Sequence, residues 1–184
     1  MTDRLGPLAP EQWSAAQRSV AQSVIDGPRG ALYGPFVTLL RSPELMQHAQ
    51  AMGAYLRYRS ALGTRLSELA ILITARQWNQ QVEWAIHAPI ARDHGIEAQI
   101  IDAVSSWVRP EGMTADEAAV HDFCIELHRE KQVSDATYAS ALAQFGEQGV
   151  VDLTAINGYY TFLAMVMNVA QTATPASPAT PLPD

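Results

Sequence analysis

The stretch Glu68 to His87, ELAILITARQWNQQVEWAIH, holds the residues best suited to chemistry. Glu83 and His87 are four positions apart, so on a helix they stand one turn above each other on the same face. Gln80 lies three before Glu83 and shares that face. Glu68 sits in the preceding apolar run and supplies a second carboxylate. Imidazole titrates near neutrality, and nearby carboxylates set its charge and orientation, so the three groups form a proton-transfer kit. His87, Glu83 and Glu68 are the expected catalytic residues.

The surrounding side chains have competing roles. Glu83 either exchanges protons or fixes the imidazole, and both roles belong to a site. Glu68 could instead form a surface pair with Arg65, one turn back. Trp84 points about 100° away from Glu83 on a helix, which suits core packing as well as substrate contact. Tyr159 and Tyr160 offer a phenol or fill the core. A carboxylate substrate needs a cation, and arginine forks onto a carboxylate better than lysine. Arg41, Arg57, Arg59, Arg65 and Arg76 are available and the sequence does not rank them. Gln80, Trp84, Tyr159 and Arg41 make up the expected substrate-binding set.

Two other pairs share the four-residue spacing, Glu117 with His121 and Cys124 with His128. Neither has the surrounding motif. The first reads as an exposed helix pair and Cys124 as a small buried apolar residue. Glu83 and His87 alone fall two ligands short of a closed metal set, so neither metal nor cofactor is expected.

A chain of 184 residues suits one domain with a real core. Charged residues make up 17%, against roughly 25% in an average domain, as expected if some surface faces another subunit. The net charge is −7 with no basic run, which excludes a phosphate-tracking surface and hence nucleic acid as a partner. A single cysteine, Cys124, excludes an intramolecular disulfide, a CxxC redox centre and a thiolate zinc cluster. The N-terminal MTDRLGPLAPEQW has no apolar signal core, so a cytoplasmic location is expected. Val150 to Ala170 is apolar and long enough for a bilayer, but Asp152, Asn157 and Asn168 suit the centre of a soluble oligomer better.

The periodicity is helical throughout and no segment shows strand alternation, so the fold class is an all-α helical bundle. Helices are expected over Pro10–Ile25, Ser42-capped to Tyr58, Thr64 or Arg65 to Trp78, Gln81–His94 and Glu97–Trp107. Three more follow: Ala115–Glu130 behind a Thr114/Glu117 capping box, Ser134–Phe145 ended by Gly146, and Gln148–Val169. A short apolar piece, Pro35–Leu40, precedes the second. Pro89 should kink its helix near His87 or end a hydrogen-bonded turn there. Residues 1–171 form one domain. Residues 172–184, with four prolines in thirteen positions, form an extended tail or an arm on a neighbouring subunit.

These residues resemble the carboxymuconolactone decarboxylase family, which includes the alkyl hydroperoxide reductase D-type proteins. The resemblance runs from Gly34-Pro35-Phe36 and Arg41-Ser42-Pro43-Glu44-Leu45 through Gly53-Ala54-Tyr55-Leu56-Arg57 and the Glu68 run. It centres on Glu83-Trp84-Ala85-Ile86-His87 and ends at Gly158-Tyr159-Tyr160 and Asn168. It implies a helical bundle assembling as a trimer or hexamer with sites near subunit contacts. In the peroxidase branch a CxxC lies between a Glu like Glu68 and a His like His87. Here Gln80 and Glu83 stand at the cysteine positions. Without a thiol pair there is neither thiolate nucleophile nor resolving partner.

The decarboxylase branch is the nearer likeness. It implies a cofactor-free lyase that moves a proton on a small carboxylated lactone or related oxygenated acid. The alternatives are a non-catalytic or ligand-binding helical homo-oligomer and, last, a peroxiredoxin-like antioxidant.

Overall fold

The computed structural model describes residues 3–183, and among them there are helices and no strands. A 3-10 turn, Pro10–Gln12, precedes eight helices: α1 Ala15–Ile25, α2 Pro35–Leu39, α3 Pro43–Tyr58, α4 Gly63–Gln77, α5 Gln81–Asp93, α6 Ala98–Ser105, α7 Ala115–Glu130 and α8 Asp135–Ala170. The all-α expectation holds.

Two boundaries differ from the sequence reading, each for a local reason. The expected helix from Pro10 is split, because Trp13 is extended and Ser14 caps a new start. The Ser14 hydroxyl accepts from the Gln17 amide while Gln17 Oε1 accepts from the Ser14 amide at 2.8 Å, the reciprocal pattern of a capping box. α6 stops at Ser105, since Trp107 turns left-handed at φ 59°. The last two expected helices do meet at Gly146, whose φ of 65° and ψ of −179° only glycine adopts readily, and the run on both sides of that break is labelled α8.

α4 is the axis of the bundle. Every residue from Leu66 to Arg76 is buried, because the helix is surrounded by α3, α5, α6, α7 and α8. Burial on all sides explains why polar Ser67, Glu68, Thr74 and Arg76 lie inside with Leu69, Ile71 and Leu72. α8 packs against α2, α3, α4 and α7. It is the one helix among the described residues long and apolar enough for a bilayer by length and composition. Its buried Asp152 accepts bonds from the Tyr55 hydroxyl at 3.1 Å and the Ala61 amide at 2.8 Å. A carboxylate tying α8 to the α3–α4 corner marks it as a core helix of this bundle.

The proline-rich C-terminal segment lies along α5 of its own chain. Leu182 is buried, and Gln81 pairs with both its amide and its carbonyl, at 3.0 and 2.9 Å. The Trp84 indole donates to the Thr180 carbonyl at 3.0 Å. α5 runs through Pro89 without ending. Proline has no N–H, so the Ala85 carbonyl loses its helical donor, and Ser177 Oγ donates to it instead at 2.6 Å.

Ser177→Ala should therefore cost about 1 kcal/mol in urea denaturation, the usual effect of orphaning a part-buried carbonyl. The cost should shrink in a Pro89→Ala background, where residue 89 regains an amide for Ala85.

Candidate functional site

α4 and α5 bring the three expected residues together. His87 Nδ1 lies 2.6 Å from Glu68 Oε2, and His87 Nε2 lies 3.2 Å from Glu83 Oε2. Glu68 Oε1 accepts in turn from Arg57 Nε at 3.2 Å. Burial is nearly complete, with Glu68, Glu83 and His87 exposed by 0, 2 and 4%. The Tyr160 ring closes one side, edge to face with the imidazole at 5.3 Å.

Both ring nitrogens lie within ion-pair distance of a carboxylate, an arrangement that favours the doubly protonated imidazolium. Burial alone would lower the His87 pKa, but the Glu68 carboxylate, with Glu83 behind it, outweighs burial and raises it to about 9. For Glu68, burial pushes the pKa up, yet His87 and Arg57 together hold it below the usual carboxylate value. Of the five candidate arginines Arg57 is the one that joins the cluster, and it pairs there with Glu68.

Further donors and acceptors converge beside this chain of charges without partners. Glu83 Oε1, the Tyr159 hydroxyl, and Arg29 Nε and Nη2 are buried and unbonded. The charges of Arg29, Glu83 and Arg57 all act on the Tyr159 phenol, whose pKa burial raises. Gly53 makes the approach of Tyr159 and Arg29 possible. A Cβ there would lie 2.2 Å from the Tyr159 oxygen and 2.6 Å from Arg29 Nη2, far inside contact distance. Arg29 comes from the loop of residues 26–34 between α1 and α2, and its guanidinium stacks on Phe36 at 4.5 Å. Sequence reasoning missed Arg29. Its only signal is the Gly27-Pro28-Arg29-Gly30 turn, which says nothing of direction.

Three expected binding residues point elsewhere. The Trp84 indole faces the C-terminal segment and lines a small cavity of about 160 Å³ there. Gln80 caps α5, accepting from the Val82 amide at 2.7 Å and donating to Asn168 at 2.6 Å. Arg41 is exposed and grips the Leu5 and Gly6 carbonyls at 3.0 and 2.8 Å. Tyr159 is at the cluster. The surface pair Arg65–Glu68 does not form, since Arg65 binds Asp116 and Glu117.

The control pairs also differ from expectation. Glu117 and His121 are buried, each with its own partner, Arg65 and Asp122. Cys124 is fully buried beside Asn157, and burial pushes its thiol up to about 12. Among the described residues no group of three His, Cys, Asp or Glu side chains is arranged to hold a metal.

No protein-family profile matches this chain, and no curated protein matches it. Solved structures do. An uncharacterized peroxidase-related protein from Ralstonia eutropha JMP134, described as an alkylhydroperoxidase AhpD core, aligns with TM-score 0.75 at 18% identity. That alignment covers 94% of this chain and 92% of the other. A protein of unknown function from Agrobacterium tumefaciens, named as an AhpD antioxidant-defence candidate, aligns with TM-score 0.67 at 18% identity. It covers 76% of this chain and 96% of that one. The shared feature is the all-helical AhpD core fold.

The His87 network makes stability depend on pH in a predictable direction. Its folded pKa of about 9 lies above the ordinary 6.5, so its stabilisation is full below pH 6.5 and disappears as pH rises through 9. Glu68 is shifted the other way, so its contribution is present above its ordinary 4.5 and is lost in acid. Urea denaturation at several pH values should show an alkaline decline on the order of 2–3 kcal/mol, largely absent in His87→Gln.

Proposed function

We propose that this chain is a cofactor-free proton-transfer enzyme, a lyase or isomerase, acting on a small monoanionic oxygenated acid such as a carboxylated lactone. The observation that carries this reading is the convergence of Glu83 Oε1, the Tyr159 hydroxyl and the Arg29 guanidinium, buried without partners, beside His87. Buried polar atoms left unbonded are costly, and a bound ligand would supply the partners these four atoms lack. The charges agree. Arg29, Arg57 and imidazolium His87 face carboxylates Glu68 and Glu83, leaving one net positive charge for an anion.

The roles follow from which atoms are free. His87 has no vacant nitrogen in this arrangement, so Glu83 Oε1 is the atom that meets the substrate, and His87 supplies or stores its proton. Arg29 and Tyr159 donate to the oxygen on which negative charge develops. In isomerisation, a C–H bond breaks, its electron pair moves onto that oxygen, and the proton passes to Glu83 and back to another carbon. In decarboxylation, the C–CO2 bond breaks, the pair again moves onto the oxygen, and the carbon takes a proton through Glu83 from His87. Glu68 and Arg57 hold the imidazolium in place. None of the described cavities is lined by Arg29, Glu68, Glu83, His87 or Tyr159, so catalysis requires a movement that opens the cluster to substrate.

That closure favours a second reading: a non-catalytic or ligand-binding helical oligomer in which the network only stabilises the core. Exposed Val151, Met165 and Val169 on α8, and Leu45 and Met52 on α3, are apolar surface for subunit contacts in a cytoplasmic trimer or hexamer. The peroxidase-related names of the structural neighbours suggest a third chemistry. The high thiol pKa and burial of Cys124 oppose it, because the thiolate is the reactive form.

Deuterium exchange into a panel of lactone acids in D2O, followed by proton NMR with CO2 release, separates these readings without knowing the product. The wild-type protein should catalyse one or both on at least one compound, and Glu83→Gln and Arg29→Gln should each lose about 100-fold. No turnover of any compound, or losses under about tenfold, would favour the structural reading. Hydroperoxide consumption should be absent from both wild type and Cys124→Ser.

A further inference from the structure

The largest described cavity, about 610 Å³, lies away from His87, between the C-terminal end of α4, the segment after α6, and α7. We propose that it is a binding site for a small aromatic carboxylate, with Arg76 and Gln77 holding the anionic end and Trp107 the ring.

Charge pairing points to an anion. Arg76 is only 6% exposed, yet no carboxylate among the described residues lies within ion-pair distance of it. Its Nη1 donates to Asn79 Oδ1 at 3.1 Å, and its Nε is buried without a partner. A buried cation lacking a counter-charge is costly unless something supplies one. The acids at the cavity are already engaged. Asp122 accepts from Arg109 at 2.8 and 3.0 Å and faces His121 at 2.9 Å. Glu126 accepts from the Ser134 amide at 2.9 Å, and Glu130 pairs with Arg129 at 3.9 Å. The second unpartnered buried group at the cavity, Gln77 Nε2, is also a donor. Both unsatisfied groups at the cavity are donors, which suits an anionic acceptor.

The rest of the lining points to the ring. Ile73, Val104, Val108 and Ile125 form an apolar wall, and Trp107 is the aromatic member. Trp107 is 53% exposed although large and apolar, and it takes a left-handed φ of 59°, which a bulky side chain rarely adopts. That backbone places the indole on the Arg76 guanidinium, 4.8 Å from ring centroid to Cζ. An aromatic platform, a cation at its inner edge and a volume in the small-molecule range are the components of a carboxylate pocket.

The test uses 1-naphthoate and its neutral counterpart 1-naphthamide, titrated into the full-length protein by calorimetry. Naphthoate should bind saturably at one site per chain, and naphthamide should bind at least about tenfold more weakly. Arg76→Gln should weaken naphthoate about tenfold or more, and Trp107→Ala about fivefold. Arg29→Gln, at the His87 cluster, should leave this binding unchanged. If Arg76→Gln does not fold by circular dichroism, the half-exposed Trp107→Ala decides. The proposal is overturned by no saturation up to about 5 mM naphthoate, by equal binding of the amide, or by loss in Arg29→Gln with the Arg76 and Trp107 variants unaffected.

Discussion

One buried chain of charges, Arg57–Glu68–His87–Glu83, governs the centre of this protein. Its members come from α3, α4 and α5, so the charges can meet only if those helices pack in this register. Removing one member of such a chain leaves an uncompensated buried charge, a larger penalty than losing an apolar contact. The rest of the structure serves this arrangement. α4 is enclosed on all sides and keeps water from Glu68. The C-terminal segment replaces the hydrogen bond that Pro89 removes and so holds α5 one turn from His87.

The same chain sets the chemistry. An imidazolium between two carboxylates is a proton reservoir rather than a free base. In the mechanism proposed above the reactive atom is Glu83 Oε1, beside the unpartnered Tyr159 hydroxyl and Arg29 guanidinium. The all-helical AhpD core fold here carries a buried polar cluster that contains no cysteine.

How much the sequence reveals depends on whether a signal is local. The fold class and several helix starts were readable, because caps such as Thr114 and Ser134 and the stop at Gly146 act within one turn, whereas the Ser14 start was masked by the Pro10 signal just before it. Glu68, Glu83 and His87 were readable from spacing and from the family likeness. Arg29 was not, because it reaches the cluster from an irregular loop with no periodicity to set its direction. Gln80, Trp84 and Arg41 were misplaced for a related reason. Each shares a helix face or motif with the site, yet each is claimed by a contact distant in sequence or by a backbone cap. The full burial of α4 was also illegible, since polar Ser67, Glu68 and Thr74 break the apolar pattern that would announce it.

Nitrogen-15 NMR of the histidine side chains reads directly whether His87 is a buried imidazolium between Glu68 and Glu83. At neutral pH the account predicts that both His87 nitrogens carry protons, with deprotonation near pH 9. A spectrum showing one His87 nitrogen unprotonated at pH 7, or a midpoint near the ordinary 6.5, would contradict it.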